Sequence, residues 1–187
     1  MHPILIDGPA VEPVTLPEMR AFLRLDTEAE DSLVAGLVKA ARLLVEASSR
    51  RILVQQRWRL VLDRWPTGRH VHLPLSPLIA VERIRVKLSA TEIVELAAAA
   101  FAAEAAADPP RIAVGADAPE PGVARGGILI DVSAGYGPAP DAVPEPLRLA
   151  IRLVAARWFE NRGDVAGEQR LPPEALALVT PYRRLRL

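Results

Sequence analysis

The hydrophobic period changes twice along this chain, and that double change limits the fold more than any single motif. Apolar residues recur at helical spacing near the start and again near the end, and alternate in between. Near the start, Thr15 with Glu18 three residues on forms a capping box, and Pro17 is tolerated in a first turn. Leu16, Met19, Phe22 and Leu23 then mark one helix face. A second helix is expected from Thr27, with Glu30 again three residues on. Glu28, Glu30 and Asp31 suit the positive end of its dipole. Its stripe is expected to run Leu33, Leu37, Ala41, Leu44, Ser48, with Lys39, Arg42, Glu46 and Ser49 on the opposite face.

From Gln55 the period becomes two. Gln56, Trp58, Leu60 and Leu62 point one way, and Arg57, Arg59, Val61 and Asp63 the other, as in a half-buried strand. Further strands are expected at 70–73, 80–86, 111–114 and 127–133, separated by Pro and Gly clusters. Alanine favours helix in 92–107, but its place among strands favours pairing, as in a β-hairpin. The Pro- and Gly-rich stretch 116–126 reads as a mobile loop. Helix returns at Pro144-Glu145-Pro146, with a stripe of Leu147, Ile151, Val154 and Trp158 and Gly163 as the expected cap. A last short helix is expected from Pro172 to Val179.

Neither helical end can bury its apolar face alone, so the two must pack together. The expected class is α+β: a helical bundle made by the N- and C-terminal helices, with a small antiparallel β-domain inserted. The expected organisation is a helical body of 13–52 plus 142–180, a β-domain of 53–138 and a C-terminal arm of 181–187.

Half of the 187 residues are hydrophobic, enough for a core, and 23 basic residues balance 23 acidic ones. A neutral chain gives no whole-molecule field for holding nucleic acid. No cysteine is present, so there is no disulfide framework and no thiolate metal site. Neither a membrane-spanning run nor a signal peptide is legible, and a soluble protein made in the cytoplasm is expected. All basic side chains but Lys39 and Lys87 are Arg, a bias that a GC-rich genome explains.

Catalytic chemistry is hard to find. His70 and His72 share one face of a strand, but no acid stands beside them at ligand spacing. The carboxylates of Asp26, Glu28, Glu30 and Asp31 are explained by a helix start. Gly135-Tyr136-Gly137 and Arg125-Gly126-Gly127 lack phosphate-loop spacing. No serine stands in a nucleophile elbow. The expectation is a non-enzyme without catalytic residues, metal or cofactor. Trp58 and Trp158 read as core, while Trp65 and Phe159 fit core or interface equally. From residue 148 on, eight arginines face four acids, as in a tail that is disordered alone or orders on a partner.

Four segments carry a resemblance. They are Leu23-Arg24-Leu25-Asp26 before the acidic helix start; Leu73-Pro74-Leu75-Ser76-Pro77-Leu78 leading to Val81; Asp131-Val132-Ser133-Ala134-Gly135-Tyr136-Gly137; and Trp158-Phe159-Glu160-Asn161-Arg162. In that order, over residues 13–162, the chain resembles the head–tail connector (adaptor) proteins of long-tailed bacteriophages and phage-like gene transfer agents. The Ala-rich stretch 88–107 departs from the family pattern. The resemblance implies a ring of copies, dodecameric in the family, under the capsid portal protein. The ring extends the DNA channel and joins the filled head to stopper, neck or tail proteins, with only transient, non-specific contact with DNA and none with membrane. It places the protein in the neck of a particle assembled in the bacterial cytoplasm. A ring needs complementary faces, for which Lys39, Arg42 and Glu46 are candidates. Tyr182, Arg183, Arg184, Leu185, Arg186 and Leu187 are candidates for portal binding. The alternatives are a stopper-like neck or tail-completion protein and a small DNA-binding regulator; the second is disfavoured by zero net charge.

Overall fold

A computed structural model describes residues 1–161 and 170–183. The chain divides into two compact units. One consists of Met1–Pro9 and Gln55–Tyr136, the other of Ala10–Val54 with the described part of Gly137–Leu187. Among the described residues there are four α-helices and two antiparallel sheets, so the fold is α+β as expected.

In the β unit, β1 (His2–Asp7), β2 (Gln56–Leu62), β8 (Ile128–Ala134), β4 (Leu78–Lys87) and β5 (Ile93–Glu95) form a five-stranded sheet in that order. A three-stranded sheet runs β3 (His70–His72), β7 (Arg111–Val114), β6 (Phe101–Glu104). The alternation read from β2 holds: Gln56, Leu60 and Leu62 are buried and Trp58 is half-buried. Ile84 and Val86 of β4, Ile128, Ile130 and Val132 of β8, and Val71 and Ile112 of β3 and β7 are also buried in this unit. Trp65 joins it and donates from its indole nitrogen to the Pro119 carbonyl at 2.9 Å.

Three features differ from expectation here. β1 shows no alternation, since Ile4, Leu5 and Ile6 are consecutive and all exposed, and it exists because β2 offers it a ladder. The stretch 92–107 does pair as strand, but not with itself: β5 pairs with β4 and β6 with β7, in different sheets. The stretch 116–126 is not a loose loop. Arg69 donates to the carbonyls of Gly115 and Ala118, and the Gly122 amide donates to the Lys87 carbonyl at 2.9 Å. A β-carbon at Gly122 would stand 1.9 Å from the Leu88 carbonyl oxygen, so only glycine allows this approach.

In the helical unit, α1 (Leu16–Leu23) begins with the expected capping box. The Thr15 amide donates to the Glu18 carboxylate at 2.8 Å, and the Glu18 amide donates back to the Thr15 hydroxyl at 3.3 Å. Helix α2 (Asp31–Ser49) starts four residues later than its sequence signal and has no side-chain cap. Residues 27–30 form a turn instead, and Arg20 of α1 reaches back to Glu28 and Asp31 at 3.5 and 3.6 Å. The buried stripe of α2 is Val34, Val38, Ala41, Arg42, Val45 and Ser49. It lies one residue, about 100° of helix, from the leucine stripe that size alone suggested.

Helix α3 (Glu145–Glu160) buries Leu147, Ala150, Ile151, Val154 and Ala155 as its period required, with Trp158 half-buried. It packs on α2 and on α4 (Pro173–Val179), which buries Ala175 and Val179. Val54 and Gly137 form a parallel bridge where the chain leaves the unit and returns to it. The expected cap at Gly163 and residue Arg162 of the resemblance lie outside the described residues.

Candidate assembly surfaces

The expected ring-interface residues separate. Lys39 is exposed on α2. Arg42 and Glu46, expected on its solvent face, are inside the helical unit. Only 4% of the Arg42 side chain is exposed. Its Nε donates to Glu12 at 2.7 Å and its Nη1 to Glu46, one turn on, at 2.7 Å. Glu46 also accepts from the Leu53 amide at 2.9 Å, securing the segment that leads out of the unit. Burial raises the Glu46 pKa, against the Leu53 hydrogen bond and the Arg42 charge. Within the protomer these two residues are engaged with Glu12, the Leu53 amide and each other.

The expected portal-binding arm is described as far as Arg183; Arg184, Leu185, Arg186 and Leu187 lie outside the described residues. A single turn, Thr180–Tyr182, follows α4. Arg51 Nε donates to the Tyr182 carbonyl at 3.0 Å and fixes the root of the arm to the helical unit.

The outer face of the five-stranded sheet carries an ionic lattice that sequence reading missed. Asp131, on β8, is 1% exposed although it stands on the face opposite Ile130 and Val132. Arg59 of β2 grips it bidentately at 2.7 and 3.0 Å. Arg83 and Arg85 of β4 reach its Oδ2 at 3.2 and 3.3 Å. Register explains the convergence, since Arg59 and Arg83 both stand opposite Asp131. Alongside, Arg57 bonds Asp7 of β1 at 2.7 Å and Glu82 of β4 at 3.0 Å, and Ser133 donates to Glu82 at 2.7 Å. Burial alone would raise the Asp131 pKa, but the Arg59 hydrogen bond and the three arginine charges outweigh it and lower it. A carboxylate held so firmly ionised is unsuited to proton transfer near neutral pH. The available signals were the two-residue spacings of Arg57 and Arg59 on β2 and of Arg83 and Arg85 on β4.

His70 and His72 are exposed on either side of buried Val71. Among the described residues no group of three or more His, Asp or Glu side chains could hold a metal ion, and no helix is long and apolar enough to cross a membrane.

No family model and no curated protein matches the chain. Solved structures do. A chain in the neck of the empty gene transfer agent particle with C6 symmetry shares 28% identity at a TM-score of 0.83, covering 100% of this chain and 97% of that one. A chain in the virion of the native particle gives 29% and 0.82, with 100% and 97% covered. A chain in the neck of the native particle with C12 symmetry gives 29% and 0.72, with 98% and 97% covered. The likeness takes in β1 and both units. It bears out the resemblance that the sequence carried, at the level of the neck of a gene transfer agent particle.

Proposed function

We propose that this chain is a non-enzymatic structural protein of the neck, a head–tail adaptor. Copies form a ring beneath the portal of a capsid or capsid-like particle. The ring extends the DNA channel and gives the stopper or tail a platform. The observation that carries the reading is the full-length likeness to neck chains from particles with C6 and C12 symmetry. Two further features support it. The charged side chains at the centre of each unit are spent on one another, as a scaffold requires. The chain is neutral, which suits a channel through which DNA must slide without sticking.

In this reading residues 184–187 bind the portal, with Arg51 holding the root of the arm at Tyr182. Lys39 faces a neighbouring copy. The β unit faces outward or toward the next neck component.

Electron microscopy of particles from cells carrying a tagged or deleted copy tests the function. Ring-shaped tag density at the portal vertex, with DNA-filled tailless heads on deletion, is the expected result; unchanged particles would overturn it. Removal of residues 184–187 is expected to abolish capture on the portal while leaving the circular dichroism spectrum unchanged. Full retention of capture would overturn the arm assignment alone.

A further inference from the structure

Helix α2 has two apolar faces, and only one is used inside the protomer. Its valine face is buried, while Leu33 and Leu43 are exposed and Leu44 is only half-buried. On the second face, α2 and the segment around α4 enclose an open groove of about 550 Å³. Leu44, Leu171, Pro173 and Leu176 line it, with Arg170 and Arg183 at its rim. Leu176 is left 38% exposed. Neither rim arginine has an acidic partner among the described residues.

The opposite end of α2 carries the complementary chemistry. The turn between α1 and α2 presents Asp26, which has no cationic partner among the described residues. It also presents Glu28, whose side chain is 83% exposed beside its 3.5 Å contact with Arg20. Exposed apolar side chains flank this turn, with Phe22 at 41% and Leu33 at 40%.

We infer that this acidic–apolar turn of one copy docks in the arginine-rimmed groove of the next, as the ring-closing contact of the assembly. The occupant is a second copy for three reasons. The charges are complementary, two acids against two arginines. Leu33 and Ala47 are 14 residues apart on one rigid helix, about 21 Å by helical rise, so the turn cannot reach the groove of its own chain. A ring requires a heterologous contact, in which one patch meets a different patch, and two patches at opposite ends of one helix pass the contact from copy to copy. The inference rests on the proposed neck function and names the surface by which that ring forms.

The chain has no cysteine, so an introduced pair reports unambiguously. The double variant Glu28→Cys with Arg183→Cys, produced in cells that make particles, is expected to give a disulfide-linked ladder of multimers on a non-reducing gel of purified particles. The control pair Glu28→Cys with His72→Cys, the second position exposed on β3, is expected to give at least tenfold less. As a second measurement, Arg170→Glu with Arg183→Glu is expected to cut incorporation into particles at least tenfold, and adding Asp26→Arg with Glu28→Arg is expected to restore it. Neck incorporation without a ladder, a ladder equal in the control, or no rescue by the second reversal would overturn the docking surface alone. Absence of the unsubstituted protein from the neck would overturn the functional reading and this inference with it.

Discussion

The two units solve the same electrostatic problem with opposite signs. In the β unit one buried acid, Asp131, is covered by three arginines; in the helical unit one buried base, Arg42, is held by two acids. The difference lies in where the surplus charge goes. Arg59 and Arg83 beside Asp131 keep 34% and 41% of their side chains exposed and so much of their hydration, while Arg85 is more buried. The acid Glu46 beside Arg42 is nearly as buried as Arg42 itself, so both members of that pair have lost water. The tolerance for losing the central residue therefore differs between the units.

The largest effect is expected from Arg42→Ala. It removes the arginine one turn from buried Glu46 and frees Glu12, which corresponds to about 3–5 kcal/mol for one partner removed from a buried pair. Urea denaturation checks it. Asp131→Ala is expected to lose less, about 1–3 kcal/mol, because Arg59 and Arg83 can turn to water. An equal or larger loss for Asp131→Ala would break the contrast between the units.

The pH dependence sharpens the same contrast. Asp131 has a folded-state pKa below its ordinary value. Its stabilisation is fully present above the ordinary value and is lost as pH falls through the folded one. Glu46 has a folded-state pKa above its ordinary value. Its contribution is greatest below the ordinary value and is lost as pH rises through the folded one. The stability gap between wild type and Asp131→Asn is thus expected to shrink as acid is added, below the ordinary aspartate range. The gap between wild type and Glu46→Gln is expected to shrink in the other direction, as pH rises above the ordinary glutamate range. Denaturation midpoints measured across acidic pH give both signs; gaps that move the same way would refute the assignment.

Much of the fold could be read from the sequence because its signals are local. The Thr15–Glu18 box, the alternation of β2 and the stripe of α3 each reside in a dozen residues or fewer. What failed was long-range. The face of α2 was misjudged because leucines outweigh valines in an apolar count, whereas packing selected the Val34–Val38–Val45 side. Of the leucines left over, Leu44 lines the groove and Leu33 flanks the acidic turn. Arg42 looked solvated because nothing local says that Glu12, thirty residues back, will meet it. Asp131 was invisible as a centre because its three arginines come from strands up to 72 residues away, brought together by register. β1 was missed for the same reason. The turn at 27–30 was read as a helix start because Thr27 and Glu30 have capping-box spacing, but Arg20 claims Glu28 and Asp31 instead.

The smallest expected effect calibrates the comparison. Arg157 of α3 and Glu174 of α4 lie 3.8 Å apart with more than half of each side chain exposed. Two long side chains in water gain little from each other after the entropy of holding them is counted. Arg157→Gln is therefore expected to change stability by no more than about 0.5 kcal/mol, with most of that change removed by 1 M salt. The Arg42 variant should be far less salt-sensitive, because its partners are screened by protein rather than by ions. If Arg157→Gln proved as damaging as Arg42→Ala, burial would not be the variable that separates strong ionic contacts from weak ones in this molecule. The difference drawn between Asp131 and Arg42 would then need another cause.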